Sequence, residues 1–132
     1  ARNLVVDNDV ATQAQMETAT STTTFVSPGR TQYHPGVAKA WGNWNNAGTI
    51  AASLNLSSVT DTGAGNHTAN FTTAFSSGSY AAAVTRGDDV PDIEVHTSSL
   101  VAGSIQVLGR NVTTPFGLVD LTVWLLIVFG DQ

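Results

Sequence analysis

The chain has 132 residues, 42% of them hydrophobic and 11% charged, with 18 threonines, 11 serines and no cysteine. That is the size of one domain with a real core; charge far below the roughly 25% of an average globular protein leaves a surface of hydroxyls and amides, and three Trp, five Phe and two Tyr supply more apolar surface than a disordered chain carries. A formal charge of -5, with the basic residues Arg2, Arg30, Lys39, Arg86 and Arg110 scattered along the chain, excludes the clustered patch that nucleic acid needs, and the lack of cysteine excludes a disulfide framework and thiolate metal sites.

The first ten residues, ARNLVVDNDV, have neither the apolar core nor the small-residue cleavage site of a signal peptide. A start at Ala1 in place of Met is expected of a processed chain or a fragment. Thr12-Gln-Ala-Gln15 has the spacing of a capping box, and Ala14, Met16 and Ala19 continue it as a short helix. The helix is expected to end near Thr20, because Thr20-Ser-Thr-Thr-Thr24 combines hydroxyls with mostly β-branched side chains of low helix propensity. Ser27-Pro28-Gly29 reads as a turn. So small a helix has no core of its own and should pack on another subunit or on the next domain, which makes Met16 a candidate interface residue.

TQYHPGVAKAW, residues 31–41, marks the joint between an N-terminal segment, 1–35, and a β-domain, 36–132. Pro35 biases His34 to extended backbone, Pro35-Gly36 makes a turn, and a period of two starts at Val37. That run puts Ala38, Ala40, Gly42 and Trp44 on one face and Val37, Lys39, Trp41, Asn43 and Asn45 on the other. With Trp44 in the core, Trp41 needs a second apolar surface such as a neighbouring chain.

Further runs are 49–57, 59–62, 66–73, 80–85, 93–97, 104–108 and 118–129, short segments between turn signals as in an all-β domain. Thr62-Gly-Ala-Gly65 predicts a hairpin turn, its glycines adopting positive φ at low cost, with Ala69 and Phe71 pointing inward on the following strand. In the last run Val119, Leu121, Val123, Leu125, Ile127 and Phe129 share one face, and from Trp124 onward the other face is apolar as well. A strand apolar on both faces is covered on both, so Trp124 and Leu126 join Met16 and Trp41 as candidate subunit-interface residues. The run is too short for a membrane helix and contains Asp120. The expected fold is an antiparallel, β-sandwich-like domain with a short N-terminal helix, assembled as a trimer.

Reactive chemistry is sparse. Four N-glycosylation sequons, at Asn55, Asn66, Asn70 and Asn111, are of the number that chance supplies in a chain this rich in Asn, Ser and Thr. His34, His67 and His96 lack the spacing of a zinc site. Asp88, Asp89, Asp92 and Glu94 lie close in sequence but without EF-hand spacing, and read as a solvated loop. Glu17 and Glu94 are the only glutamates, and no serine sits in a G-x-S-x-G elbow. The reading is therefore non-enzymatic, with no catalytic residue, cofactor or metal. Candidate contact residues follow from loop position alone: Ala64 and Asn66 at the hairpin tip, Tyr80, and Asp88 and Asp89.

ATQAQMETATSTTTFVSPGR, residues 11–30, resembles the segment beginning A-T-Q-A-E-x-E-x-G-T that recurs in bacteriophage tail-fibre and other virion-fibre proteins. QYHPGVAKAWGNWNNAGT, then SSVTDTGAGNHTANFTTAF, and the closing VFGDQ are similar to a C-terminal fibre module of such phages. The likeness covers most of residues 11–85 and the last few; it departs at Gln15, where Glu is more usual, and at Ala19, where Gly is, neither change being expected to disturb a cap or a turn. The resemblance implies a virion structural protein, a homotrimeric tail or head fibre or spike that partners other virion proteins and attaches to a host-surface glycan or protein. The alternative is a capsid decoration or tail-assembly protein with a purely structural role.

Overall fold

The computed structural model describes residues 10–89, 91–113 and 115–132. The chain divides into two compact units, Ala1–Val37 and Ala38–Gln132.

In the first unit α1 runs over Gln13–Thr18 with the capping box formed in both directions: the Gln15 amide donates to Thr12 Oγ1 at 3.2 Å, and the Thr12 amide donates to Gln15 Oε1 at 2.9 Å. Two otherwise orphaned amides of the helix start are thereby satisfied. The helix stops at Ala19, held in the left-handed region at φ 51° while its amide donates to the Gln15 carbonyl. That overturns the expectation that Ala at this position is neutral, since a left-handed C-cap favours Gly. Met16 is 6% exposed in the single chain and so is not free for a subunit contact.

Ser27-Pro28-Gly29 is more than a turn. Pro28 opens a one-turn helix, α2 (Pro28–Thr31), because its fixed φ suits the first helical position, where no amide is needed. Beyond it His34 forms a corner: its amide donates to the Thr31 carbonyl, its carbonyl accepts from Val37, and its ring Nδ1 accepts from the Gly36 amide at 3.0 Å.

The second unit is all-β, with strands β1 (Ala40–Asn45), β2 (Ile50–Leu54), β3 (Leu56–Gly63), β4 (Asn66–Phe71), β5 (Ala81–Arg86), β6 (Ile93–Val101), β7 (Ser104–Asn111) and β8 (Val123–Phe129). They form two antiparallel four-stranded sheets, ordered β2-β1-β8-β5 and β3-β4-β7-β6. Ala40, Trp44, Trp124, Leu126 and Val128 from the first sheet and Leu56, Ala69, Phe71, Ile105 and Val107 from the second share one core, the packing of a β-sandwich. Trp44 is fully buried and Trp41 points the opposite way, as period two requires.

The 49–57 run is not one strand. Asn55 adopts φ 56°, its side-chain amide donating to the Thr73 carbonyl at 3.0 Å and its Oδ1 accepting from the Thr73 amide at 2.7 Å. This left-handed residue, tolerated by Asn better than by most, carries the chain from one sheet to the other between β2 and β3.

The hairpin turn at 62–65 joins β3 to β4, with Ala69 and Phe71 buried. Gly65 has φ +61°, its amide donates to Asp120 Oδ1 at 2.7 Å and its carbonyl accepts from the Gly109 amide at 2.9 Å. Asp120 thus ties the hairpin to the segment before β8, and β8 itself begins only at Val123. Trp124 and Leu126 are 0% and 4% exposed in the sandwich core, which corrects their assignment to a subunit interface. The chain's own second sheet covers the face of β8 that bears Trp124 and Leu126, while Ile127 on the opposite face is exposed.

Candidate functional site

His67, Asp61, Asp88 and Asp120 hold the β unit together. His67, on β4, is fully buried between the sheets. Its Nδ1 accepts from the Trp44 indole N–H at 3.1 Å, and its Nε2 lies 2.9 Å from the Asn46 carbonyl. Indole nitrogen only donates, so the ring proton sits on Nε2, which donates to Asn46. Trp124 packs edge-on to the same ring, centroid to centroid 4.8 Å. With both nitrogens bonded and no solvent access, His67 is a core histidine.

Asp61, Asp88 and Asp120 act as turn and strand-end acceptors. Asp61 accepts from the Gly63 amide and Asp120 from that of Gly65. Asp88 Oδ2 accepts from both the amide and the hydroxyl of Thr122, at 2.8 and 2.7 Å. Burial works against its charge, but those hydrogen bonds and the nearby Arg86 guanidinium outweigh it and hold Asp88 below the usual carboxylate range. Among the described residues no group of three or more His, Cys, Asp or Glu is arranged to hold a metal ion.

The candidate contact loops separate into two kinds. Ala64 is exposed at the hairpin tip and Asp89 is exposed beside the tethered Asp88. Asn66 is the first residue of β4, and its Oδ1 accepts from Gln106 at 2.8 Å. Tyr80 is a correction: it is 8% exposed, its ring packs on Phe71 and Phe75, and its hydroxyl lies 2.8 Å from the Ser104 carbonyl. Burial pushes its phenol above the usual value. A residue one place before a strand, flanked by serines and alanines, gave no signal that the ring turns inward.

A different feature was only half visible in the sequence. On the outer face of the first sheet, strand register aligns Leu54, Trp41, Ile127 and Ala83 in one row across all four strands. The next row is Ala52, Asn43, Leu125 and Thr85. Trp41, Leu54 and Ile127 are 40%, 47% and 38% exposed. Trp41 and Ile127 together with the small side chains Ala52, Ala83 and Thr85 line a groove of about 410 Å³. Trp41 was foreseen there; Leu54, Ala52 and Ala83 were not, because they follow only from which strands are neighbours. The periodicity did place Leu125 and Ile127 on a shared face, yet could not say which face of β8 the second sheet covers.

No family model matches the chain, and no curated protein or solved structure matches it either. No helix among the described residues is long and apolar enough to cross a membrane.

Proposed function

We propose that the chain is a non-enzymatic structural module of a bacteriophage virion, a fibre or spike domain that projects from the particle as a homotrimer and attaches to the host surface. The resemblance of most of residues 11–85 and the closing VFGDQ to virion-fibre segments supports the reading. The structural observation that carries it is a division of labour: His67, Asp61, Asp88 and Asp120 are engaged in holding the sandwich, while a broad sheet face bearing Trp41 is left uncovered. Such a surface is suited to assembly. Adhesion would come from multivalency, three weak sites on one rigid body gaining avidity through effective concentration, with the tip at Ala64 and the exposed Asp89 as contacts. The uncovered face also favours a second reading, a capsid decoration or tail-assembly protein that docks on another virion protein.

Deletion of the module from the phage tests the first reading. Intact particles that no longer adsorb to the host support it; intact particles with unchanged adsorption sink it in favour of the second. Electron-microscopic labelling on the particle then separates tail from capsid. Shortened host polysaccharide after incubation with the purified chain would overturn the non-enzymatic assignment.

A further inference from the structure

We infer that the outer face of the β2-β1-β8-β5 sheet is the surface through which copies of this chain bind one another, with Trp41 as its anchor. The inference rests on the proposed self-assembly and names the contact that performs it.

Three observations select a second copy as the occupant. The first is charge. The chain carries a formal charge of -5, yet the two rows that cross the face, Leu54, Trp41, Ile127 and Ala83, then Ala52, Asn43, Leu125 and Thr85, contain no charged residue. Two acidic molecules repel except where each presents a neutral surface, and charge-depleted, aromatic-bearing patches are characteristic of interface cores. The second is shape. Ridge and groove stand side by side on one face: Trp41, Leu54 and Ile127 project, while Ala52, Ala83 and Thr85 leave the groove of about 410 Å³ beside them. An identical face offers a hole for the ridge and a ridge for the hole.

The third is the adjoining edge. β2 is an outermost strand of its sheet, and its sequence Ile-Ala-Ala-Ser-Leu has no charge and no proline, while its register against β1 slips by one residue at Ala51. Soluble monomers usually guard such edges with lysine, proline or a bulge placed to repel another strand. Apart from a one-residue slip at Ala51 the edge carries none of these guards, and it is continuous with the neutral apolar face.

Sedimentation equilibrium on the full chain, from about 1 to 50 µM, tests the inference against Trp41→Glu, Ile127→Glu and a control, Thr60→Glu, on exposed β3. Wild type and control are expected at a multiple of the chain mass. Each face variant should fall toward one chain mass, with association at least tenfold weaker, while far-UV circular dichroism still reports the β fold. Face variants that stay assembled like wild type would overturn the face and leave self-assembly standing. A wild-type chain that is monomeric throughout would overturn both. Should the variants unfold, the unaltered protein provides the readout. Trp44 and Trp124 are fully buried, so dilution that dissociates the assembly must raise the iodide-quenchable tryptophan emission through Trp41. Dissociation without that rise refutes the assignment.

Discussion

Trp44→Phe probes the bond between the two sheets. The substitution keeps an aromatic ring on β1 but removes the indole N–H, leaving His67 Nδ1, fully buried, without its donor at 3.1 Å. A typical hydrogen bond contributes about 1 kcal/mol net, and a buried acceptor left unpaired costs roughly 1 to 3 kcal/mol. The void left by the lost half of the indole, a few tens of Å³ at about 24 cal/mol per Å³, adds roughly 1 kcal/mol. The terms overlap, so the expected loss is about 2 to 4 kcal/mol. His67→Leu alone strands the Trp44 N–H and should cost a similar amount, the Asn46 carbonyl being at an exposed residue where water replaces the lost donor. The double variant removes donor and acceptor together, so its loss should fall short of the sum of the two by at least 1 kcal/mol. Urea midpoints at constant slope and fixed protein concentration measure all four corners of the cycle, the fixed concentration holding any assembly equilibrium equal. Strict additivity would refute the claim that this hydrogen bond, and not ring volume alone, fastens the core.

Gly65→Ala should destabilise by about 2 to 5 kcal/mol, summing a left-handed penalty of roughly 1 to 2 kcal/mol with overpacking, because φ is +61° and an added Cβ would stand 2.6 Å from the carbonyl oxygens of Gly109 and Val119; a thermal midpoint within a degree or so of wild type would contradict it. Ala19→Gly should do the reverse, stabilising α1 locally by about 1 kcal/mol through relief at φ 51°, and faster amide exchange at the end of α1 in the variant would count against that. Asp88 predicts a pH dependence whose sign follows from its lowered pKa. Its folded value lies below the unfolded one, so its contribution is complete above the ordinary aspartate range and disappears as pH falls through the folded value. Urea midpoints of Asp88→Asn should therefore lie below wild type at neutral pH and converge with it in acid; a gap undiminished at about pH 3 would rule the ion out as the cause.

Much of this fold can be read from residue order. The capping box at Thr12 and Gln15, the opposed tryptophans of β1 and the hairpin through Gly63 and Gly65 are all local, set by dihedral preference or by the alternation of a single strand. What was hidden is everything that depends on a distant partner. Period two gave the two faces of β8 but not their cover, so Trp124 and Leu126 looked like interface residues when the second sheet already buries them. Asn55 is invisible as a corner within a run of β-compatible residues, because only its pairing with Thr73 holds it left-handed. Tyr80 and Asp88, taken for loop contacts, are fixed by Ser104 and Thr122. The uncovered face was legible at one residue, Trp41, and became a surface only when register set Leu54, Ile127 and Ala83 beside it.

The position of β8 has a consequence for biosynthesis. It is the final strand in chain order, yet it lies at the centre of its sheet, pairing β1 on one side through Ala40 and Val128 and β5 on the other through Ala83 and Ile127. β1 can pair with β2 early, but β1 and β5 cannot be joined into one sheet until Phe129 has left the ribosome, and that closure is of the slow, long-range kind. A chain cut short before β8 lacks not an edge but the middle of the sheet, and with it Leu125 and Ile127 from the lining of the Trp41 groove. Synthesis through β8 is thus a precondition for presenting that face, a proofreading step in which a copy cut short before it has no complete surface to offer.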